Sequence, residues 1–194
     1  MHSLDFSLDR GDTLLISGRS GIGKTVLLQS LAGLWPFVSG SVVLPSSRQV
    51  AMFVPQMPYI PLGDLRGAAS YPLEEGAVSD REIQQALVKV ALSHVVIRLN
   101  DVRDWAKVLS VGEQQRMAFA RILLSKPRAV FLDESTSAMD EGLELMLYEL
   151  IRAELPDTIL VSVSHRSTVE QFHERHLELV GGGEWRLDPL PTRR

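Results

Sequence analysis

Short apolar segments that end at glycine, proline or acidic residues alternate along the chain with longer segments whose apolar residues recur every three or four positions. The short segments predict strands, because alternation is typical of a half-buried strand and a continuous apolar run of a buried parallel strand. The expected strands are Leu4–Leu8, Leu14–Ile16, Val42–Leu44, Val50–Val54, Ala129–Leu132, Ile159–Val163 and a final hairpin of Leu177–Val180 with Glu184–Leu187.

The longer segments predict helices, several of which end at a proline. They are Val26–Leu34, Asp80–Leu92, Gly112–Ser125, Leu143–Leu155 and Ser167–Glu174. The segment Pro55–Tyr71 is rich in proline and glycine and is expected to be a surface loop. Strands that alternate with helices predict an α/β fold with a parallel sheet.

The stretch from about residue 62 to 125 contains helical patterns but no expected strand. We therefore expect a single domain over residues 1–194, in which a core of residues 1–61 and 126–194 carries a helical subdomain inserted at about 62–125.

Composition narrows the classes of function. The chain of 194 residues has a formal net charge of −4, which argues against a nucleic-acid partner. It has no cysteine, which excludes disulfides and thiolate metal sites. No apolar run approaches the roughly 18 residues that span a bilayer, and the first residues do not resemble a signal peptide. We expect the chain itself to be soluble.

A glycine-rich phosphate loop lies between an expected strand and an expected helix, which is the context that this motif requires. Its glycines let backbone N–H groups surround a phosphate, and the helix N-terminus adds partial positive charge. Lys24 is expected to reach the β- and γ-phosphates, and the Thr25 hydroxyl to bind Mg²⁺. The loop reads Gly18, Arg19, Ser20, Gly21, Ile22, Gly23, Lys24, Thr25.

Two acids follow the buried strand Ala129–Leu132. Strand ends at the carboxyl edge of a parallel sheet meet the ligand crevice. There Asp133 can bind Mg²⁺, and Glu134 can orient and deprotonate an attacking water. The alternative is that these acids only cap the following helix, which the nearby phosphate loop disfavours.

The segment Leu109–Arg116, here called the signature segment, resembles the signature of the ABC ATPase family and lies between the phosphate loop and the acid pair. Ser110 and the N–H groups at Gly112 would form a second anion site. A plain helix start, with Ser110 as N-cap and Glu113 completing a capping box, is the other interpretation, and both can hold together.

Other motifs of that family follow in order. Gln56 matches the Q-loop glutamine, which the family places on Mg²⁺, and Ser137–Asp140 resembles the D-loop. His165 matches the switch histidine that contacts the γ-phosphate. The resemblance extends from about Leu4 to Val180 and is strongest to ABC subfamily D, the branch of peroxisomal long-chain acyl-CoA transporters, and its bacterial half-transporter relatives.

The resemblance implies an ABC-type P-loop NTPase fold: a mostly parallel sheet with N-terminal antiparallel strands and an inserted helical subdomain. It implies ATP and Mg²⁺ as ligands, catalysis by Lys24, Glu134 and His165, and nucleotide contacts that include Asp140. The implied partners are a second copy, in a head-to-tail dimer that sandwiches ATP, and the transporter's transmembrane domain, at the cytoplasmic face of a bacterial inner membrane. No nucleic-acid partner is implied.

Some residues depart from the family pattern or suggest other readings. Val111 replaces a signature glycine. The family usually stacks adenine on an aromatic residue well before the phosphate loop, and only 17 residues precede Gly18, so we expect that aromatic upstream of Met1. Phe6 is expected in the core. His173 and His176 are expected at an exposed helix end rather than on a metal.

Two rival functions remain. A soluble ABC ATPase of DNA repair or translation would normally carry a coiled-coil insertion or a second motor domain, and neither is seen. A non-hydrolysing module is supported only by Val111.

Overall fold

The structure is a computed structural model that describes residues 4–36, 39–43 and 51–191. In chain order its strands and longer helices are β1 (Thr13–Gly18), α1 (Lys24–Leu31), β2 (Ala51–Val54), β3 (Gly63–Asp64), α2 (Leu65–Ser70), α3 (Asp80–Lys89), β4 (Val102–Arg103), α4 (Trp105–Val108), α5 (Val111–Ser125), β5 (Ala129–Asp133), α6 (Glu141–Glu154), β6 (Ile159–Val163), β7 (Arg175–Gly181) and β8 (Glu184–Pro189). Two 3-10 helices cover Ser93–Arg98 and Ser167–Phe172.

The chain forms two compact units. The sheet unit comprises Met1–Val54, Pro127–Glu134 and Pro156–Arg194, and the helical unit comprises Pro55–Lys126 and Ser135–Leu155. Among the described residues, no helix is both long and apolar enough to cross a bilayer.

The described strands of the sheet unit form a six-stranded sheet in the order β2-β5-β6-β1-β7-β8. All neighbouring strands are parallel except β7 and β8, which form an antiparallel hairpin. Val163 of β6 lies opposite Ile16 of β1 on one side and Asp133 of β5 on the other. The carboxyl ends of these three strands therefore meet at one edge, and the predicted α/β fold with a mostly parallel sheet is confirmed.

Apolar side chains of the strands and of α1 form the core of the sheet unit. Strands β5 and β6 are almost fully buried, as their continuous apolar sequences predicted. The core comprises Leu14, Ile16, Leu27, Leu28, Ala129, Phe131, Val161, Val163, Leu177 and Leu179.

The first described residues depart from expectation. The strand expected over Leu4–Leu8 does not form, although all three of its apolar side chains pack against the core. The alternation of apolar and polar residues at Leu4–Leu8 therefore reflects burial of the apolar side of this segment, without pairing to another strand. The expectation that Phe6 packs in the core is confirmed. In the strand expected at Val42–Leu44, Val42 and Val43 have no regular structure, and Leu44 lies outside the described residues.

The helical unit packs α2, α3 and α6 around α5, most of whose residues are buried. The prediction that Pro55–Tyr71 is entirely loop is wrong, because β3 and α2 lie inside it. Asp64 caps α2 by accepting a hydrogen bond from the Gly67 N–H. Strand β3 pairs antiparallel with β4 at residues 102–103, so the expectation that residues 62–125 contain no strand is also wrong.

Candidate active site

The phosphate loop connects β1 to α1 in the sheet unit. Gly21 and Gly23 adopt φ values of +75° and +104°, in the left-handed region that glycine favours. A Cβ added at either position would meet no atom within 4 Å, so backbone conformation rather than crowding requires glycine there. Gly23 is the N-cap of α1, which places Lys24 and Thr25 in its first turn.

Lys24 is buried, and its side chain folds back over the loop. The ammonium donates hydrogen bonds to the carbonyl oxygens of Gly18, at 3.0 Å, and Arg19, at 3.1 Å. Both acceptors are neutral. A buried cation held by neutral oxygens at a helix N-terminus is suited to an anionic ligand.

Thr25 and Asp133 bring together the first turn of α1 and the end of β5. The Thr25 hydroxyl donates to Asp133 Oδ1 at 3.1 Å. Burial raises the pKa of the Asp133 carboxyl; the Thr25 hydrogen bond opposes that rise, and the charge of Glu134 adds to it. A hydroxyl and a carboxylate side by side are the oxygen ligands that Mg²⁺ prefers, so the residues fit this ion.

Glu134 lies in a strained conformation directly after β5. Its φ of +49° is unusual for a residue with a side chain, and its N–H donates to the Val163 carbonyl at 3.0 Å. Its Oε1 lies 3.1 Å from Nε2 of His165, which follows β6. The backbone bond thus holds a carboxylate and an imidazole together at the same edge of the sheet as Asp133.

The structure therefore brings five of the predicted site residues together at the carboxyl ends of β1, β5 and β6. They are Lys24, Thr25, Asp133, Glu134 and His165. The other predicted residues outside the phosphate loop, which are Gln56, Ser110, Gly112 and Asp140, belong to the helical unit.

In the helical unit, the signature segment opens α5. Ser110 and Glu113 form the predicted capping box, in which the Ser110 oxygen accepts from the Glu113 N–H and the Glu113 carboxylate accepts from the Ser110 N–H. The Ser110 hydroxyl also donates to that carboxylate at 2.8 Å. A Cβ at Gly112 would lie 3.0 Å from the Ala138 carbonyl oxygen, so a side chain there would displace the D-loop backbone by a few tenths of an ångström.

Sequence reasoning also missed a buried side-chain amide in this unit, which contacts three of the motifs. Gln115 donates to the Gln56 carbonyl at 2.8 Å and to the Ser137 hydroxyl at 3.2 Å, and its Oε1 accepts from the Ala138 N–H at 3.1 Å. The pattern gave only a weak signal, a glutamine on the apolar face of a predicted helix. Asp140 caps α6 through the Leu143 N–H.

The expectation that His173 and His176 lie at an exposed helix end is wrong. His173 is buried, with its ring nitrogens bonded to the Val169 carbonyl and the Ser162 hydroxyl. His176 lies in β7 and pairs with the Ser17 hydroxyl. Among the described residues, no group of three or more His, Cys, Asp and Glu side chains is placed to hold a metal ion.

Comparison with known proteins identifies the family. A family model described as ABC transporter matches residues 1–137. The chain is 45% identical over 184 residues to an uncharacterized ABC transporter ATP-binding protein of Haemophilus influenzae, a match that covers 95% of this chain and 31% of the relative. It is 39% identical over 196 residues to the human lysosomal cobalamin transporter ABCD4, covering 95% of this chain and 32% of the relative.

A further relative is mouse ATP-binding cassette sub-family D member 3, which is 36% identical over 198 residues, covering 98% of this chain and 30% of the relative. The chain thus spans about a third of the length of the curated relatives it matches. The transporter names of these relatives favour the transporter interpretation over a soluble ATPase. ATP-binding domains of this family are ATPases coupled to transport. On its motifs, its family match and these relatives, the chain belongs to the ABC transporter family as an ATP-binding domain.

Proposed function

We propose that this chain hydrolyses Mg-ATP and thereby drives transport of a substrate by a membrane protein. The observation that carries the proposal is the meeting of three motifs at one sheet edge, with Thr25 3.1 Å from Asp133 and Glu134 3.1 Å from His165. For the functional division of the chain we keep the bounds expected from the sequence, which are a nucleotide-binding core of residues 1–61 and 126–194 and a helical subdomain at about 62–125.

The phosphate loop binds the triphosphate. Its backbone N–H groups and the Lys24 ammonium hold the phosphate oxygens, and their positive charge offsets the charge that develops during transfer. Thr25 and Asp133 hold Mg²⁺, with Gln56 as a third ligand on the strength of the family resemblance. When bound, Mg²⁺ neutralises negative charge on the phosphate oxygens.

Glu134 acts as the general base. Its carboxylate takes a proton from water, which raises the nucleophilicity of the oxygen that attacks the γ-phosphorus. His165 donates from Nε2 to the carboxylate and orients it, and it contacts the γ-phosphate when ATP is bound. The strained backbone of Glu134, fixed by its bond to Val163, holds the base in position before substrate arrives.

Release of phosphate from Mg-ATP by the native polypeptide tests this activity directly. We expect release that requires both ATP and Mg²⁺. Release no faster than in a protein-free control would reject the proposal.

A second copy of the chain is the proposed dimer partner, and its signature segment would bind the ATP held by the first chain. In a head-to-tail dimer, ATP on one phosphate loop would contact Ser110 and the N-terminus of α5 in the other chain. Closure then depends on ATP, because the γ-phosphate supplies charge that both chains bind, and hydrolysis reopens the dimer.

A cysteine cross-link tests this arrangement with no background from residues 1–194, because these residues contain no cysteine. With Ser20→Cys and Val111→Cys combined, we expect a disulfide between chains that ATP promotes at least fivefold over the nucleotide-free protein. The measurement is the dimer fraction on non-reducing gels. Ser20→Cys combined with Ile97→Cys is the control, and equal yields from the two pairs would contradict the head-to-tail dimer.

The transmembrane partner would contact the segment Met57–Tyr71, here called the docking segment. Four of its apolar side chains are exposed: Met57, Tyr59, Leu62 and Tyr71. The buried Arg121 guanidinium of α5 fixes the backbone of this segment, because it donates to the Tyr59 and Ala68 carbonyls. It also lies 5.4 Å from the centre of the Tyr71 ring. Burial lowers the pKa of Arg121 to about 10. An ordered, exposed apolar surface is typical of a protein–protein contact.

Leu62→Ser is expected to lower transport by about tenfold. Removing one well-packed apolar contact costs an interface about 1.4 kcal/mol of binding free energy, which corresponds to that factor. Leu62 is 79% exposed, so its loss leaves the domain's own core unchanged. The measurement is substrate transport by the full-length protein in vesicles. Ile97→Ser, at an apolar residue that is 91% exposed, is the matched control. Equal effects of the two substitutions would argue against docking here.

In this proposal the domain works at the cytoplasmic face of a bacterial inner membrane. The names of its relatives include a lysosomal cobalamin transporter, so subfamily resemblance alone does not select a peroxisomal acyl-CoA as the substrate.

A further inference from the structure

Gln115 is a buried side chain whose polar atoms all contact other motifs. It lies on α5 five residues after Ser110, and the structure leaves it no exposed surface. Its Nε2 donates to the Gln56 carbonyl and the Ser137 hydroxyl, while its Oε1 accepts from the Ala138 N–H. One amide thus touches two segments that are far apart in the sequence.

A second contact closes this arrangement. The Gln56 side chain donates to the Ser137 hydroxyl at 3.3 Å, so the same hydroxyl accepts from both glutamines. One turn earlier on α5, the absence of a side chain at Gly112 lets the helix approach the Ala138 carbonyl. The signature helix, Gln56 and the Ser137–Ala138 peptide are therefore held in one fixed geometry.

We infer that Gln115 is a positioning residue for ATP hydrolysis, which sets the position of the Gln56 backbone and of the D-loop relative to the signature helix. This inference rests on the proposed function, because Gln56, Ser110 and Asp140 act on nucleotide only in that proposal. The physical basis is that a buried amide bonded at both ends has one low-energy orientation. A shift of the Gln56 loop therefore moves the D-loop with it.

The chain provides a matched comparison at the adjacent position. Gln114 is also a buried glutamine of α5, and its Nε2 donates to the Ala106 and Leu109 carbonyls. These partners lie only in the segment that leads into α5. Replacing Gln114 therefore removes a buried amide of the same type without freeing the Ala138 N–H.

The first measurement is amide hydrogen exchange of Ala138 in the native polypeptide without nucleotide. Gln115→Met keeps the length of the side chain but removes the acceptor, so we expect exchange at Ala138 to accelerate at least tenfold. Gln114→Met should leave that exchange within about twofold of the wild-type rate. Equal exchange in the two variants would overturn the inference, whether or not the protein hydrolyses ATP.

The second measurement is steady-state hydrolysis. Gln115→Met should lower kcat about tenfold while the KM for ATP changes by less than about threefold, because it displaces positioning groups without altering the phosphate loop. If Gln115→Met does not fold, Ser137→Ala replaces it, since that exposed hydroxyl binds both glutamines; it should lower kcat in the same direction. Ser137→Ala combined with Gln115→Met should lower kcat by less than the product of the single effects, and full multiplicativity would count against a shared pathway.

The two proposals fail differently. A wild-type protein that releases no phosphate refutes the proposed function and leaves the exchange result to be judged alone. Normal hydrolysis with a wild-type kcat in Gln115→Met refutes only the positioning role.

Discussion

Replacing Glu134 with glutamine is expected to lower ATP turnover about 10²- to 10⁴-fold, the usual contribution of a general base. The amide keeps an oxygen that can accept from His165 Nε2, but it cannot take a proton from water. Lys24, Thr25 and Asp133 are unchanged, so ATP should still bind. The measurements are phosphate release and nucleotide binding by the native polypeptide, with its molecular mass in saturating Mg-ATP determined by light scattering.

Because the bound γ-phosphate persists in this variant, the dimer should remain closed and the mass should correspond to two copies. Glu170→Gln is the matched control, since Glu170 is an exposed carboxylate in a 3-10 helix of the sheet unit. It should hydrolyse ATP at the wild-type rate. Wild-type turnover in Glu134→Gln would exclude Glu134 as the base, and a monomer with ATP bound would contradict the dimer.

The sheet edge of the active site could be predicted because its chemistry lies in short contiguous motifs that follow strands. A strand–loop–helix sequence fixes where Lys24 and Thr25 lie, whatever the rest of the chain does. The run Ala129–Leu132 is short and apolar and lies just after Pro127, which favours a buried strand over a helix and puts Asp133 at a strand end. His165 was found only through the family resemblance, because a lone histidine after a strand has no distinctive spacing.

Long-range contacts could not be predicted from the pattern. The pairing of Glu134 with His165 requires β5 and β6 to be neighbours, and strand order is a tertiary property that local periodicity does not determine. The Gln115 bonds join residues 59 and 22 positions apart and likewise depend on how the helical unit packs.

The fold predictions failed at short elements and at residues whose burial depends on tertiary packing. Helix α2 has six residues and β3 and β4 have two each, which is too short for a periodic pattern to be recognised. At Leu4–Leu8 the pattern was real, but burial against the core produced it without a strand partner. His173 was misjudged because the buried Ser162 hydroxyl that binds it comes from a neighbouring element.

Lys24→Met is expected to weaken ATP binding about 10²-fold while leaving the stability of the fold nearly unchanged. Hydrogen bonds from a cation to charged oxygens contribute about 1.5–3 kcal/mol each, and a loss at the upper end corresponds to roughly 10²-fold in affinity. The lost bonds to Gly18 and Arg19 are offset, because Lys24 is only 6% exposed and methionine removes a buried charge held by neutral carbonyls. Titration with Mg-ATP and denaturant unfolding without nucleotide measure the two effects.

Lys89→Met is the matched control, since Lys89 is a half-exposed cation that pairs with Glu154 at 2.7 Å in the helical unit. A surface ion pair of this kind contributes about 0–1 kcal/mol, so the control should lose little stability and no ATP affinity. If Lys24→Met instead lost several kcal/mol of unfolding free energy, the lysine would be a structural tie of the loop. Unchanged ATP affinity in a stable Lys24→Met protein would remove the phosphate loop from the binding site, because the proposed function places no other ammonium or guanidinium group on the triphosphate.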